Sequence, residues 1–505
     1  MSSTAVMSNQ SSAALIKSTF WQTGNVNRLN DCCIDSAGNV YTLYECREIQ
    51  TDNSFWKYSL QKTKSDGTVA WTKILYQGTQ SNQIQNSYVF IKAIDNDYLI
   101  FGGSSSADAS SKGYISKINS SDGSVALARN FTNTDGRGYG FRGCHIDSSK
   151  AIYLTRYDLY GSPIIYKLDY NCNLIWAKSL PVGFFDSDGA SNEYIPIGFF
   201  GNSLGQTVWC GNFYGYLARN GSPGNKYWKQ STMLFSLDSN GNLVYLKFVK
   251  PMQFYSGFLD ESGVSYYTGL MGYNYYSNDS TTSSYNTLNN RYKGFLKLDA
   301  AGNVSFYKTS ISNDTSAQNT YDVSLINDKQ GNIYRISITP DGYAKPYLWI
   351  NKFDSSGNLI WGNYLKFSTT WPNTTGVGIW DNNDGGTTTK SGLTPCWIEN
   401  NKLIIPLTVY ATAATTDTSR KWMIHVKLPT DGSKLGSYIP ATYLTMDYLA
   451  QDVSNKTWDY YANSSPVMSA NTPGLVTLSD TISASPTTYT VADTTISITN
   501  YKVPF

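Results

Sequence analysis

Residues 353–365 read FDSSGNLIWGNYL, a tight turn of Asp, Ser, Gly and Asn between two apolar stretches. Residues 237–248 repeat the pattern as LDSNGNLVYLKF. Such residues favour turns because Asp and Asn side chains cap the backbone and glycine tolerates a positive φ angle. Five further turns of this kind contain Asp66, Asp122, Asn171, Ala301 and Asp431. The pattern predicts seven β-hairpins, one in each of seven repeats.

Each hairpin is preceded by two more short strands that are joined by an equally tight turn. In the first repeat we predict strands at 28–34, 39–45, 56–64 and 68–75. Four short strands repeated along a chain are typical of radially stacked sheets. We therefore predict an all-β fold, a seven-bladed β-propeller of four-stranded antiparallel blades. The predicted division is an N-terminal arm (1–27), the propeller (28–440) and a C-terminal β-rich extension (441–505).

The two ends of the chain carry separate expectations. In the seventh repeat, residues 396–410 and 422–439 are expected to supply all four strands. Residues 14–21, ALIKSTFW, resemble the fourth strands of other repeats, and we expect them to dock as an outer strand on the last blade. The extension is rich in Ser and Thr with almost no charge from residue 472 onward. It either serves docking or assembly, or packs along the side of the propeller.

The composition argues against several classes of protein. Charged residues make up 15% of the chain, the net charge is +2, and Lys and Arg are scattered, so we expect no nucleic-acid partner. No apolar run reaches the roughly 18–20 residues of a membrane span, so we expect no membrane insertion. The N-terminus lacks a basic segment followed by an apolar one, which predicts folding in a cytoplasm. Seven cysteines without a C-x-x-C pair, and two histidines, predict free buried thiols and no zinc site.

The connections between strands differ on the two faces of the predicted ring. Tight turns join the first strand to the second and the third to the fourth on one face. Long connections join the second strand to the third, or one blade to the next, on the other face. They fall at 51–55, 77–87, 181–194, 211–232, 272–293, 368–394 and 411–420. Because binding residues concentrate on loops held by a rigid scaffold, we expect function on this second face.

Three of these connections are rich in aromatic residues mixed with Ser, Asn and Thr. Aromatic rings give rigid contact area, and neighbouring amides and hydroxyls give hydrogen bonds, a combination that suits sugar rings and their hydroxyl groups. The candidate ligand-binding residues are Tyr214, Tyr216, Trp228, Tyr273, Tyr275, Tyr276, Tyr285, Trp371, Trp380 and Asp381. The alternative is that these rings pack the loops onto the blades or onto a neighbouring subunit.

Several motifs that could carry chemistry have a structural interpretation. The repeated Asp-x-x-Gly-Asn offers oxygen atoms to Ca²⁺ but lacks the spacing of a calcium loop, so we interpret it as turn chemistry. Residues 65–71, SDGTVAW, do not meet the sialidase Asp-box spacing. His145 and His425 lie inside predicted strands and are expected to be structural. Asp186, Asp188, Glu193, Asp381 and Asp384 form no recognisable catalytic pair, and we predict no catalytic residue, cofactor or metal site.

The repeats have a family resemblance that concerns the fold. Residues 354–365 and 174–180 resemble the blades of the seven-bladed repeat family and of the wider quinoprotein-like propellers. The adjacent Cys32 and Cys33 resemble the ring disulfide beside the quinone of quinoprotein dehydrogenases. The predicted blade number and the absence of the docking consensus differ from that family. We therefore expect the two cysteines to alternate across the innermost strand, one facing each neighbouring blade.

The overall style of the sequence resembles structural proteins of tailed bacteriophages, being rich in Tyr, Asn, Ser and Thr and low in charge. The resemblance implies a virion protein of the tail or capsid surface, synthesised in the host cytoplasm, present in several copies and contacting other virion proteins. We expect a non-enzymatic role in host attachment, with a host-surface glycan bound by the long loops. The alternatives are a purely structural decoration or assembly protein and a glycan depolymerase.

Overall fold

A computed structural model of the chain contains seven β-sheets, and every regular element among the residues it describes is a strand. None of those residues forms a helix that could cross a membrane. The described residues are 14–20, 27–48, 55–76, 85–104, 113–131, 140–157, 163–179, 193–218, 226–250, 252–271, 292–310, 321–338, 347–369, 374–380, 396–413, 420–441, 444–450, 467–470, 476–477, 490–493, 498–499 and 502–504.

The strands follow one another along the chain and group into blades. The N-terminal strand is β1 (Ala14–Phe20). Blade 1 contains β2 (Asn27–Ile34), β3 (Val40–Glu48), β4 (Phe55–Thr63) and β5 (Val69–Tyr76). Blade 2 contains β6 (Gln85–Ala93), β7 (Tyr98–Ser104), β8 (Gly113–Asn119) and β9 (Val125–Phe131). Blade 3 contains β10 (Gly143–Ile146), β11 (Ile152–Tyr157), β12 (Pro163–Leu168) and β13 (Leu174–Ser179). Blade 4 contains β14 (Glu193–Gly201), β15 (Thr207–Ala218), β16 (Lys226–Leu237) and β17 (Leu243–Lys250). Blade 5 contains β18 (Met252–Leu259), β19 (Ser265–Met271), β20 (Tyr292–Leu298) and β21 (Val304–Ser310). Blade 6 contains β22 (Tyr321–Asn327), β23 (Ile333–Ile338), β24 (Tyr347–Phe353) and β25 (Leu359–Thr369). The remaining strands are β26 (Thr374–Trp380), β27 (Trp397–Glu399), β28 (Lys402–Ala413), β29 (Arg420–Pro429), β30 (Gly436–Ala441), β31 (Leu444–Ala450), β32 (Val467–Ala470), β33 (Val476–Thr477), β34 (Thr490–Asp493), β35 (Ile498–Thr499) and β36 (Lys502–Pro504).

Each of the first six blades has four consecutive antiparallel strands as its core, called A to D from the centre of the ring outward. In blade 1 these are β2, β3, β4 and β5, which confirms the strands predicted for the first repeat to within a few residues. The predicted seven-bladed propeller of four-stranded antiparallel blades is confirmed. The A–B and C–D turns lie together on one face, called the turn face, and the opposite face is called the loop face.

The seventh blade differs from the prediction. Its inner strands are β26 and β27, followed by β28 and β29, but the prediction that residues 422–439 supply both the third and the fourth strand is wrong. Residues 436–441 instead form β30, which pairs with β31 at the outer edge of the blade 6 sheet. The connection to this strand is unusual: Gly432 has the positive φ angle that the turns of other blades also have, but Lys434 and Gly436 add two further positive φ angles, which direct the chain away from β29.

The vacant fourth position in blade 7 is filled from the other end of the chain. Strand β1 pairs antiparallel with β29, with Lys17 opposite Ile424 and Ser18 opposite Met423. Blade 7 thus contains strands from both ends of the propeller sequence, and backbone hydrogen bonds join those two ends.

The C-terminal extension adds outer strands to several blades. Strand β31 pairs with β25 of blade 6, β32 with β17 of blade 4, β33 with β13 of blade 3 and β34 with β5 of blade 1. The last two strands, β35 and β36, pair with β1 on blade 7. Among the described residues, only the sheets of blades 2 and 5 keep four strands. The strands of the extension therefore cover outer sheet edges that would otherwise expose unpaired backbone groups.

The core lies between blades. Leu348, Ile350 and Leu365 of blade 6 pack against Ile424 and Val426 of blade 7, and all five are buried. Both faces of a blade are covered in this way, which explains why apolar residues occur on both sides of the central strands. The packing fixes the blades as a rigid support for the loop face.

Candidate recognition face

The Asp residues of the repeated motif act within their own turns. In blade 6, Asp354 Oδ1 accepts hydrogen bonds from the backbone N–H groups of Ser356 (2.9 Å) and Asn358 (2.8 Å), and Oδ2 accepts one from Asn358 Nδ2 (2.8 Å). The same three bonds occur around Asp35, Asp169, Asp238, Asp299 and Asp328. No three His, Cys, Asp or Glu side chains cluster for a metal within the described part of the chain. The interpretation of the motif as turn chemistry is confirmed.

A second repeated set of contacts holds the turn of one blade against the preceding blade. Lys352 Nζ of blade 6 donates to the Thr430 carbonyl in the turn after the third strand of blade 7 (3.1 Å) and lies 5.3 Å from the centre of the Tyr334 ring. Tyr334 Oη donates to the same carbonyl (3.2 Å), and Gly432 lies against the indole of Trp361. Equivalent bonds from a third-strand lysine to the next turn join Lys62 to Ser120, Lys117 to Tyr170, Lys167 to Ser239 and Lys297 to Ser355.

These contacts between a turn and the preceding blade explain most of the repeated polar and aromatic residues of the blades, so no ligand is needed to explain them. In five blades the aromatic residue after the C–D turn, such as Trp361, packs against the turn glycine of the next blade. The lysine and tyrosine satisfy a backbone carbonyl. The turn face is therefore a structural frame, and functional residues are to be sought elsewhere.

The innermost strands hold a partly buried ion pair between blades 1 and 2. Asp31 Oδ2 lies 3.2 Å from Lys92 Nζ and also accepts the Ile91 backbone N–H (2.8 Å). Burial raises the pKa of Asp31, although the Lys92 charge opposes this rise. Burial lowers the pKa of Lys92, but Asp31 and neighbouring groups outweigh it and leave that pKa raised. The pair ties the inner edge of one blade to the backbone of the next.

The described cysteines and histidines are buried or partly buried within the blades. Burial raises the pKa values of the Cys32 and Cys33 thiols. Cys33 packs against the core between blades 1 and 2, and Cys32, its neighbour in β2, lies on the opposite face of that strand, so the two alternate as expected. His145 Nε2 lies 2.8 Å from the Asn202 carbonyl, and burial lowers its pKa. Burial also lowers the pKa of His425, to about 4.

The predicted loop at 211–232 is mostly a β-hairpin. Strands β15 and β16 remain paired from Thr207 opposite Leu237 out to Ala218 opposite Lys226 on the loop face, so the loop assignment is wrong. Backbone pairing continues here because Phe213, Tyr214, Tyr227 and Trp228 belong to types with high strand propensity. We call residues 212–218 and 226–232 the blade 4 arm.

The register of the arm brings three candidate residues together. Position 216 lies directly opposite position 228, and position 214 lies opposite position 230. Opposed residues, and residues two apart along a strand, share one face of a sheet. Tyr214, Tyr216 and Trp228 therefore hold positions on the same face of the arm.

The other candidate residues fall in different places. The predicted loop at 368–394 contains strand β26, and Trp380 ends that strand with its backbone opposite Thr408, so this loop assignment is wrong for 374–380. Strands β26 and β27 both pair with β28 and together form the innermost strand of blade 7, because β27 is too short to do so alone. Candidates outside the described residues are Tyr273, Tyr275, Tyr276, Tyr285, Trp371 and Asp381.

Sequence reasoning missed a cluster of three aromatic rings on blade 6, Tyr347, Trp349 and Tyr364. The ring centres of Tyr347 and Trp349 are 5.6 Å apart, those of Tyr347 and Tyr364 are 5.2 Å apart, and those of Trp349 and Tyr364 are 5.0 Å apart. All three are partly exposed. The sequence signal for this cluster was the alternation of aromatic residues at the loop-face end of the third strand. The prediction of binding residues considered the long connections instead.

Comparison with known proteins found only distant likenesses to solved structures. No protein-family model matches the chain, and no curated protein matches it. A structure of a DUF4221 family member from Bacteroides vulgatus is 11% identical, with a TM-score of 0.36 over 83% of this chain and 97% of that one. Sqt1 from Chaetomium thermophilum is 9% identical, with a TM-score of 0.36 over 81% and 100%. A luciferin-regenerating enzyme is 8% identical, with a TM-score of 0.31 over 82% and 95%. These similarities are too low to assign a function.

Proposed function

We propose that this propeller is a non-enzymatic recognition protein that binds carbohydrate on a host-cell surface through its loop face. The observation that carries the proposal is the blade 4 arm, a paired hairpin on which Tyr214, Tyr216 and Trp228 hold one face. An aromatic surface on a hydrogen-bonded hairpin loses little conformational entropy when it binds, which favours recognition of a flexible glycan.

The division of the molecule into two faces supports the same proposal. Hydrogen bonds within turns and between blades occupy the polar groups of the repeated motifs on the turn face. The blade 4 arm lies on the other face, and the pairing of its two strands with each other extends beyond their pairing with β14 and β17. Binding residues are expected where a rigid scaffold presents such additions.

The setting that we propose is the surface of a bacteriophage tail or capsid. Its support is the composition, which is low in charge and rich in Tyr, Asn, Ser and Thr. Several copies on one particle would bind a repeated glycan more tightly than one copy does, because each later contact forms at high effective concentration.

The proposal is tested with the purified full-length chain on an array of neutral and sialylated oligosaccharides and bacterial lipopolysaccharides. We expect saturable binding to at least one glycan, without release of shorter products. The double variant Tyr216→Ala, Trp228→Ala should weaken binding, whereas Ile175→Ala, an exposed change beside a turn, should not. Absence of binding to every array glycan would contradict the proposal, and cleavage of a bound glycan would indicate a depolymerase.

A further inference from the structure

We propose that the loop-face half of blade 6 is a second carbohydrate subsite, in which Tyr347, Trp349 and Tyr364 receive one pyranose unit of a neutral glycan. The inference rests on the proposed function and assigns it a second contact point. It is carried by residues that lie outside every connection considered in the sequence analysis.

The blade 6 sheet is wider than the blade that faces it. Blade 6 has six strands, in the order β22, β23, β24, β25, β31, β30, whereas the described residues of blade 5 form four. The face of blade 6 toward blade 5 is identified by Phe353, whose ring centre is 5.2 Å from that of Phe295 in blade 5. Tyr347 and Trp349 lie six and four residues before Phe353 in β24, and because alternate residues of a strand share one face, all three lie on this face.

The apolar core between blades 5 and 6 stops short of the three rings. Its buried members are Tyr266, Phe295, Leu325, Ile333 and Phe353, which surround the turn-face half of the interface. Tyr347, Trp349 and Tyr364 belong to none of the core clusters of the described residues. The rings therefore contact one another at the surface instead of filling the centre of the molecule.

Polar residues flank the rings on the same face. Along the sheet toward the loop face, Tyr347 lies opposite Lys366, and Lys366 lies opposite Asp447. Ser437 Oγ donates to Asp447 Oδ1 (2.6 Å), which holds that carboxylate in place. Burial raises the pKa of Tyr364, and its neighbours Tyr347 and Asp447 add to the rise.

This arrangement has the chemistry of a sugar-binding surface. A pyranose ring presents apolar C–H groups on one side and hydroxyl groups at its edge. The aromatic rings suit the apolar side, and the Lys366 ammonium and Asp447 carboxylate suit the hydroxyl groups as donor and acceptor. Because one cation faces one anion, the local charge is balanced, which favours a neutral sugar over an acidic one.

The proposal is tested by titrating the full-length chain with the array glycan that gives the strongest signal and with the methyl glycosides of glucose, galactose and mannose. Trp349→Ala should weaken binding of the glycan about tenfold, whereas Trp349→Phe should retain most of it. Lys366→Ala, at an exposed position, should weaken binding with no change in melting temperature. Ile360→Ala, on the same strand near the turn face, is the matched control and should bind like the native chain.

The outcomes separate this inference from the proposed function. If the native chain binds glycans, the blade 4 arm variant loses binding, and the Trp349 and Lys366 variants bind normally, the subsite is wrong and the proposed function stands. If Trp349→Ala lowers the melting temperature, Lys366→Ala and Tyr347→Ala decide the result. If the native chain binds no array glycan and no methyl glycoside, both proposals are overturned.

Discussion

Asp354 shows how a single residue determines a repeated turn. Its two carboxylate oxygens accept three hydrogen bonds from the four residues that follow. In the A–B turn of blade 4 the same position of the motif is held by Asn202, whose Oδ1 accepts the backbone N–H groups of Leu204 (3.2 Å) and Gln206 (3.0 Å). The turn therefore requires an oxygen acceptor at this position and not a negative charge.

Replacing Asp354 with alanine should destabilise the protein by about 1–2 kcal/mol, because two backbone donors lose their acceptor. Asp354→Asn should cost less, since asparagine fills the same position in blade 4. Urea denaturation of both variants measures the difference in free energy of unfolding. Equal losses for the two variants would show that charge, and not the acceptor oxygen, holds the turn.

His425 should give the protein a pH dependence in mildly acidic solution. Its pKa is lowered by burial from 6.5 to about 4, so the unfolded state binds a proton at a higher pH than the folded state does. The free energy of unfolding should therefore fall as the pH decreases from about 6.5 to about 4. In His425→Gln this slope should be smaller, which thermal melting at several pH values will measure. An unchanged slope would show that other groups control stability in this range.

A separate acid effect comes from the turns. Burial tends to raise the pKa values of Asp169, Asp238 and Asp354, but their hydrogen bonds with side-chain and backbone amides outweigh it and leave them below 3.8. In Asp299 the largest influence is already a lowering one, the hydrogen bond from the Asn303 backbone. The stability that they contribute is complete above 3.8 and is lost as the pH falls below it, so it lies outside the range assigned to His425.

At the scale of the element, the turn between two strands also serves as the contact between two blades. Gly432 has φ +77°, and a Cβ atom there would lie 2.9 Å from Trp361 Cδ2. Gly331 has a similar φ of +94°, but its Cβ atom would meet only Ser355 Cβ at 3.7 Å. The two glycines share a backbone requirement and differ in what lies next to them.

Gly331→Ala should cost about 1 kcal/mol, the strain of a left-handed alanine. Gly432→Ala should cost about 1–3 kcal/mol more, because the Trp361 indole must also move. Chemical denaturation of both variants compares the two losses directly. If the losses are equal, the turn glycine does not serve as an inter-blade contact.

The hairpins themselves were predictable, because residues such as Asp354 and Gly357 act locally. The partner of an outer strand was not predictable from local sequence. Residues 436–441 look like a fourth strand of blade 7, but the positive φ angles of Gly432, Lys434 and Gly436 direct the chain to blade 6. Tyr216 and Trp228 were predicted to be loop residues. Their positions opposite each other depend on the register of a hairpin, which the amino-acid composition does not reveal. The blade 6 rings were missed because two of them alternate within a strand that reads as ordinary core.

At the scale of the whole molecule, strand β1 closes the ring by pairing with β29. Deletion of residues 1–20 should lower the melting temperature, because blade 7 would lose its fourth strand and expose the edge of β29. Deletion of residues 1–13 is the matched control, since it leaves β1 complete. Calorimetry should show a lower transition for the longer deletion alone. Equal melting temperatures for the two deletions would remove the role of β1 in closure.

The central claim is that the molecule separates a structural turn face from a carbohydrate-binding loop face. Hydrogen–deuterium exchange of the full-length chain, with and without the strongest-binding array glycan, tests it most directly. The account predicts new protection in the blade 4 arm and in residues 347–350 and 364–366 of blade 6, with no change in the turns at 354–358 or 238–242. Protection confined to those turns, or none anywhere at saturating glycan, would contradict it.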